Sequence, residues 1–358
     1  MPDEHFLDVL TLSESGRRAL IERLLHWRAT AQPPNLVGKT LELGPRFVSA
    51  DIEGKKRAPR RHDFVQCHQP HCHHFDWPSL RPVPPSFTQY HTAVRIGKAL
   101  QAGANYHSQV YVASFDLDEN STAGNEVVIK IYQPSLTPCV PELEKLCDKP
   151  ERWEPLLSCC EEEWAYRQMV PLQGGFVPHA YGFYHVILPN AEPAIAFIME
   201  KIDAVPSDTI AESVHNRYGD DKNEALKAVW SGVLAAGHAI QTCNLMTTDE
   251  RNYYKDVLWP RDSFTQPGPS FPVLIDFGMA APLRPGYHAQ AVLRAVKVLD
   301  SLQFEYDIIR DWLQSLIEPV PGGEGKLEGS EIFKLLDVPD QSAQYWPRWL
   351  QGWLVERL

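Results

Sequence analysis

The sequence predicts an α+β fold in which a β-rich segment precedes a mainly helical one. Apolar, β-branched runs dominate from Val94 to Ile202, and Asn223–Thr242 repeats apolar residues at helical spacing. A third observation is the short apolar run Val273–Ile275, which is typical of a strand buried on both faces and ends abruptly in an acid. A chain of 358 residues with 44% hydrophobic content can bury the core of one large or two modest domains.

Composition excludes several classes of partner and indicates an intracellular protein. The formal net charge of −12 argues against a surface for nucleic acid or anionic membrane. No run approaches the roughly 20 apolar residues of a membrane span, and the acidic N-terminus lacks the order of a signal peptide. The seven scattered cysteines indicate a reducing compartment, so we expect the cytoplasm or the nucleus.

The N-terminal region begins with one predicted helix. Thr11–Glu14 reads as a capping box, and Leu20, Leu24 and Trp27 form an apolar stripe. Residues 31–85 show little periodicity, but they include zinc-ligand types at Cys67, His68 and 71–74. That spacing is compressed for a zinc finger, and a His/Cys-rich loop without metal is the more common case.

The next segment resembles a loop that covers the phosphates of a nucleotide. Gly103, Asn105, Ser108 and Val110 follow the spacing G-x-G-x-x-G-x-V, although only the first glycine is kept. Asparagine tolerates a positive φ, and serine is small enough for backbone to approach a phosphate. The alternative interpretation is an ordinary β-hairpin.

A lysine and a glutamate further along the chain form a candidate ion pair. Lys130 lies in the apolar strand Val127–Tyr132, and a buried ammonium needs a carboxylate or phosphate partner. The alternative is a lysine that snorkels to solvent at a sheet edge. A helix around Glu161–Glu163 supplies carboxylates; we prefer Glu162, while the other two glutamates stay open, as does a solvated acidic face.

Asp276 follows the strand Val273–Ile275 and opens an Asp-Phe-Gly triplet. An acid beside a buried strand needs a cationic partner, because an unpaired buried charge has a heavy desolvation cost. A solvated turn acid is the alternative.

These pieces occur in an order that resembles the protein-kinase-like superfamily, especially the divergent kinase-like proteins abundant in fungi. The resemblance covers roughly Val94 to Leu316. It is carried by an E-x-x-A-Y helix, an L-Q-G…P…Y-G segment, a V-L-W strand and I-D-F-G, found here at Glu162–Tyr166, Leu172–Gly182, Val257–Trp259 and Ile275–Gly278.

The resemblance implies a bilobal protein-kinase-like fold, with a small β-rich N-lobe, a mainly helical C-lobe and ATP between them. It divides the chain into an extension at 1–90, an N-lobe at 91–200 and a C-lobe at 201–358, with a hinge near Met199–Ile202. The implied nucleotide-binding residues are Gly103, Asn105, Ser108, Val110, Lys130, Glu200 and Ile202.

The catalytic segment departs from the family pattern. Asp249 aligns with the residue that accepts the substrate hydroxyl proton, but Thr247 and Thr248 replace the usual His and Arg. An ungapped alignment instead places Arg251 at that position. The metal-binding residue would be Asp276, assisted by either Asp256 or Asn252, and no A-P-E sequence follows.

The resemblance implies an ATP-dependent phosphotransferase, a divergent protein kinase that moves the γ-phosphate of Mg·ATP to a hydroxyl. Lys130 and Glu162 would act together, with ATP and Mg²⁺ bound and a protein or small-molecule hydroxyl as acceptor. Two alternatives remain: a pseudokinase that binds nucleotide or serves as a scaffold, and a small-molecule kinase.

Overall fold

The structure is a computed structural model. It describes residues 13–30, 36–49, 78, 80–83, 91–103, 106–115, 126–136, 156–219, 221–247, 256–265, 270–283 and 298. The chain divides into two compact units, the first made of Met1–Glu53, Pro82–Tyr166 and Pro178–Lys201, and the second of Gly54–Arg81, Arg167–Val177 and Ile202–Leu358. The architecture is mixed, with helices and a curled antiparallel sheet.

The predicted helices and strands are present in the expected order within the described residues. They are α1 (Glu14–Thr30), β1 (Thr40–Glu42), β2 (Ala93–Gln101), β3 (Gln109–Phe115), β4 (Glu126–Tyr132), α2 (Leu157–Gln168), β5 (Ala180–Ile187), β6 (Pro193–Glu200), α3 (Ile210–Tyr218), α4 (Lys222–Thr242), β7 (Leu245–Thr247), β8 (Val257–Leu258), β9 (Val273–Leu274) and β10 (Ala280–Pro282). Short 3₁₀ turns occur at Pro134–Leu136, Val170–Leu172, Ser207–Thr209 and Arg261–Phe264. Of these elements, β1, α3, β7 and β10 were not anticipated from the sequence.

The first unit contains a six-stranded antiparallel sheet with the strand order β1-β2-β3-β4-β6-β5. Burial alternates along β3, as expected when one face of a strand packs on a core. In β4 the last four residues are all buried, so both faces of that strand are covered. The core on one face of the sheet includes Val94, Ile96, Tyr111, Ala113, Phe115, Val127, Ile129, Ile131, Ala196 and Ile198.

The segment after α1 pairs with both β2 and β5, the two outer strands among β2 to β6. β1 pairs with β2, and Leu41 joins the core. Directly afterwards, Gly44 N donates to His185 O at 2.8 Å and Phe47 N donates to Phe183 O at 2.9 Å, both on β5. Exposed strand edges invite pairing with other chains, and this segment covers the outer edges of β2 and β5.

Helix α1 begins at Glu14, and Ser13 caps it. The Ser13 Oγ accepts a hydrogen bond from Gly16 N at 3.1 Å, as an N-terminal cap does, whereas Thr11, the first residue of the predicted capping box, lies outside the described residues. Leu20 and Leu24 are buried as predicted.

The second unit is built around α4. Its predicted apolar face is buried, with Leu226, Val229 and Val233 at 0% exposure. Asp221 caps the helix by accepting a hydrogen bond from Glu224 N at 3.1 Å. A Cβ atom added at Gly232 would lie 1.8 Å from Ser270 O, so backbone packs directly on backbone at this position.

Two short ladders follow α4 in the second unit. In the first, β7 pairs with β10, with Thr247 opposite Ala280. In the second, β8 pairs with β9, and Ile275 N donates to Asp256 O at 2.9 Å just beyond the paired residues. Residues 248–255 therefore lie between β7 and Asp256. Both β7 and Asp256 are hydrogen-bonded to segments close to Asp276 in the sequence.

Several sequence predictions lie outside the described residues. They are the Cys/His cluster at 67–74, the helices expected at 289–316 apart from the buried Val298, and the tryptophans at 346, 349 and 353. In the part of the chain that the structure describes, no helix combines the length and the apolar character needed to cross a membrane.

Candidate functional site

The predicted contact between Lys130 and Glu162 is confirmed. Lys130 Nζ lies 2.7 Å from Glu162 Oε2, and the two side chains are 7% and 0% exposed. The lysine projects from β4 and the glutamate from α2. A charge pair this deeply buried is costly to desolvate, so it needs close geometry and further hydrogen bonds to persist.

Tyr132 provides one of those further bonds. Its hydroxyl donates a short hydrogen bond to Glu162 Oε2, the oxygen that Lys130 also contacts. Lys130 Nζ also lies 5.5 Å from the centroid of the Tyr132 ring. Residues two apart on a strand share a face, so the β4 register places both donors against the same carboxylate.

The neighbouring glutamates have other environments. Glu163 Oε2 accepts hydrogen bonds from Ser49 N at 3.2 Å and Ser49 Oγ at 2.5 Å. Glu161 is half-buried. The preference for Glu162 is therefore correct, and the alternative of a solvated acidic face is wrong.

The turn between β2 and β3 is closed by a glutamine that the sequence analysis did not identify. Gly103 has φ +141°, and its N–H donates to Gln109 Oε1 at 2.6 Å. Gln109 Nε2 donates back to Gly103 O at 3.0 Å, and the glutamine is fully buried. Ser108 is buried as well, and Asn105 lies outside the described residues.

Val110 lies directly opposite Lys130 in the β3–β4 register, and Phe197 lies opposite Lys130 on β6. Cross-strand partners share a face of the sheet, so the half-buried Val110 borders the lysine. Two of the predicted nucleotide-binding residues are thus brought together on one surface.

Glu200 and Ile202 are the other predicted nucleotide-binding residues on the described chain. Glu200 ends β6, and its Oε2 accepts a hydrogen bond from His179 N at 2.9 Å. Ile202 is half-buried and begins a segment of the second unit. Their role in binding nucleotide stays a prediction.

Asp276 has an unusual backbone conformation and an exposed side chain. Its φ of +61° lies in the left-handed region, which is uncommon for residues other than glycine although aspartate is enriched there. Exposure of the side chain agrees with the alternative of a solvated turn acid, and a cationic partner for Asp276 stays a prediction. Strained backbone of this kind clusters at functional sites.

Asp256 is brought next to this turn by the β8–β9 ladder. Its carbonyl oxygen accepts the N–H of Ile275, the residue before Asp276. Magnesium prefers oxygen ligands and is commonly bound through one or two carboxylates completed by substrate phosphates. The role of Asp256 and Asp276 as magnesium ligands stays a prediction, and no group of three or more His, Cys, Asp and Glu residues suited to a metal is found among the described residues.

The remaining predicted catalytic and metal residues are Asp249 and Asn252. Both lie outside the described residues, as do Thr248 and Arg251, which distinguish the two possible alignments. Asp249 as proton acceptor and Asn252 as metal ligand stay predictions.

Burial also changes the acidity of a cysteine beside the ion pair. Burial raises the pKa of the Cys159 thiol well above its usual value, and the nearby Cys160 and Glu163 raise this pKa further. The positive charge of Lys130 opposes this shift. The thiol is therefore protonated at neutral pH and behaves as a small apolar side chain.

A shallow groove of about 540 Å³ lies on the sheet of the first unit, lined by Arg95, Lys98, Leu100, Val112, Glu126 and Lys201 among others. Lys130 and Glu162 are not among its lining residues. The groove is therefore separate from the buried ion pair.

Tyr132, Gln109 and Ser49 were not predicted from the sequence as parts of this arrangement. Tyr132 was accessible to prediction, because strand periodicity places it on the face of Lys130. Ser49 carried no recognisable signal, since its partner lies 114 residues away, whereas Gln109 bonds to Gly103 within one turn, where strand periodicity predicts no side-chain contact.

Comparison of this sequence with protein-family models and with curated proteins finds no match in either set. The resemblance to the protein-kinase-like superfamily consequently stays a prediction.

Proposed function

We propose that this chain is a divergent kinase-like phosphotransferase that binds Mg·ATP and transfers the γ-phosphate to a hydroxyl, with a protein as the acceptor. The observation that carries the proposal is the buried 2.7 Å pair between Lys130 and Glu162. An ammonium held in this way on a strand is oriented in advance, which favours binding of an anionic group such as a phosphate.

In this proposal Lys130 binds the α- and β-phosphates and Glu162 orients the ammonium. Because Tyr132 also donates to Glu162, the carboxylate keeps a partner when the ammonium turns toward a phosphate. Val110, opposite Lys130, offers an apolar surface for the nucleotide. Gly103, Asn105 and Ser108 would cover the phosphates, and Glu200 and Ile202 would contact the base.

Asp276 and Asp256 are the proposed magnesium ligands, with Asn252 as the alternative to Asp256. Their support is the exposed side chain of Asp276 and the hydrogen bond that joins Asp256 to Ile275. When bound, Mg²⁺ would neutralise charge on the β- and γ-phosphates.

The proposed reaction joins the acceptor hydroxyl oxygen to the γ-phosphorus. The bond between that phosphorus and the bridging oxygen breaks, its electron pair leaves with ADP, and Asp249 accepts the hydroxyl proton. Support comes from the residues on either side of 248–255, since Thr247 and Asp256 are bonded to the segments that flank Asp276.

Turnover of γ-labelled ATP by the purified chain tests this function. Asp249→Asn should reduce turnover by about 10²–10⁴-fold while nucleotide binding is kept, because only proton acceptance is lost. Asp276→Asn should abolish turnover, and the exposed Asp203→Asn, which loses a surface contact to Arg261, is the matched control. Equal turnover in all four proteins would contradict the proposal.

A second candidate is a kinase-like module without turnover, and one observation favours it. The Gln109 amide occupies both polar backbone groups of Gly103, so the first residue of the proposed phosphate loop is already hydrogen-bonded within the chain. A ligand at 100 times its Kd stabilises the native state by about 2.7 kcal/mol, so thermal unfolding in Mg·ATP separates the cases. A shift without turnover indicates a pseudokinase, and no shift indicates a scaffold.

A further inference from the structure

The segment that covers the sheet edges ends on the helix that carries Glu162. Residues 40–49 pair with β2 through β1 and with β5 through Gly44 and Phe47. Immediately afterwards Ser49 reaches α2, where its N–H and hydroxyl both donate to Glu163 Oε2. The segment is thus attached to three elements of the first unit within ten residues.

The contact between Ser49 and Glu163 is buried and charge-assisted. Ser49 is 4% exposed and Glu163 is 5% exposed, and the distance from Ser49 Oγ to Glu163 Oε2 is 2.5 Å. Hydrogen bonds to an ionised acceptor are shorter and stronger than neutral ones. A buried carboxylate that loses such donors is left in an unfavourable environment, which opposes separation of the two groups.

Glu163 and Glu162 are consecutive residues of one helix. Successive side chains on an α-helix point about 100° apart, so the two carboxylates face different neighbours. Glu162 contacts Lys130 on β4, and Glu163 contacts Ser49. A rotation or a shift of α2 that breaks one contact therefore strains the other.

We propose that Ser49, acting through Glu163, is a positioning residue that sets the orientation of α2 and thereby holds Glu162 against Lys130. Residues 40–49 then contribute to the geometry of the ion pair between Lys130 and Glu162. Its effect on phosphotransfer rests on the function proposed above, whereas its effect on Lys130 does not.

The reactivity of the Lys130 amine gives a readout that needs no nucleotide. Acylation of Lys130 by a water-soluble N-hydroxysuccinimide ester, followed by mass spectrometry, should be slow in the native chain because the amine is buried and paired. Ser49→Ala should raise the rate about tenfold or more, the factor that corresponds to losing one charge-assisted hydrogen bond. Glu162→Gln marks the rate expected when the pair is broken.

Ser135→Ala is a closely matched control. Ser135 also donates through its N–H and its hydroxyl to a buried glutamate, Glu192, with both distances at 2.8 Å. This variant also removes a serine hydroxyl that donates to a buried glutamate in the first unit. It therefore measures how far a general loss of stability in that unit raises the acylation rate of Lys130. Ser49→Thr keeps the hydroxyl and should restore the native rate.

Equal acylation rates in Ser49→Ala and Ser135→Ala, or a native rate in Ser49→Ala, would overturn the inference. If Ser49→Ala fails to fold, Glu163→Gln replaces it, because the amide oxygen is a weaker acceptor for the same donors. If Ser49→Ala raises the Lys130 acylation rate but Mg·ATP does not shift the thermal unfolding of the native chain, the positioning role stands and the phosphotransferase proposal is rejected. If Mg·ATP shifts thermal unfolding but Ser49→Ala leaves the Lys130 acylation rate unchanged, the positioning role is rejected and the phosphotransferase proposal stands.

Discussion

Lys130 on β4 and Glu162 on α2 form an ion pair in which the carboxylate has no solvent exposure. The contact ties a strand of the sheet to a helix that lies 32 residues further along the chain. Removing one partner of a buried pair leaves an uncompensated charge, and this energetic coupling is measurable.

The first prediction concerns that coupling. Glu162→Gln should lower the free energy of unfolding by about 3–5 kcal/mol, since it leaves a buried ammonium without its counter-charge. The double variant Lys130→Met/Glu162→Gln should be destabilised by at least about 1 kcal/mol less than the sum of the single variants. Urea unfolding of all four proteins measures the difference.

The exposed pair of Lys201 and Glu126 is the control for this cycle. Their side chains are 39% and 52% exposed, and surface pairs contribute about 0.2–1 kcal/mol. If the coupling free energy of Lys130 and Glu162 is no larger than that of Lys201 and Glu126, the prediction of a strongly coupled buried pair is wrong.

The second prediction concerns the Tyr132 hydroxyl. Tyr132→Phe keeps the packing of the ring but removes one donor to Glu162, so it should cost about 1.5–3 kcal/mol, as expected for a bond to a charged group. Tyr184→Phe removes a neutral bond to Tyr181 O at 3.2 Å and should cost about 0.5–1.5 kcal/mol. Similar losses in both variants would mean that Tyr132 does not support Glu162.

The third prediction is a pH dependence that arises from Glu192. Burial raises the pKa of this carboxyl above its ordinary 4.5, although hydrogen bonds from Ser135, Gln133 and Asn190 oppose the shift. The folded state then binds the proton more tightly than the unfolded chain does. This contribution to stability is complete below pH 4.5 and is lost as the pH rises through the folded-state pKa.

Comparison of the wild type with Glu192→Gln isolates this effect, because other titrating groups contribute equally to both proteins. The stability of the wild type relative to the variant should fall as the pH rises from 4 toward 7, by about 1.4 kcal/mol for each unit of pKa shift. Chemical unfolding at a series of pH values gives the difference. A constant or rising difference would show that the pKa is not raised.

The fourth prediction tests the packing behind the β8–β9 ladder. Gly232→Ala would place a methyl group 1.8 Å from Ser270 O, so backbone must move. Overpacking of this kind destabilises by about 1–3 kcal/mol or more. Ser231→Ala on the same helix is the control and should be nearly neutral, and thermal unfolding compares the two.

The periodicity of the sequence was sufficient to predict most of the local structure and, at the candidate site, the burial and pairing of Lys130. Five apolar or aromatic residues around Lys130 identified a buried strand, and the same reasoning predicted that the lysine needs a carboxylate. The apolar face of α2 indicated that one of its glutamates turns inward; Glu162 was preferred, and Glu161 and Glu163 stayed open. These features depend on neighbours within a few residues, where strand and helix geometry are fixed.

The sequence by itself therefore determined most of the strands, the helices α1, α2 and α4, and the requirement that Lys130 be paired. The tertiary structure alone decided that residues 40–49 pair with both β2 and β5 and that Ser49 contacts Glu163. It also decided that the Asp276 side chain is exposed. The physical reason is that these contacts join segments with no shared periodicity, so their partners depend on how the whole unit packs.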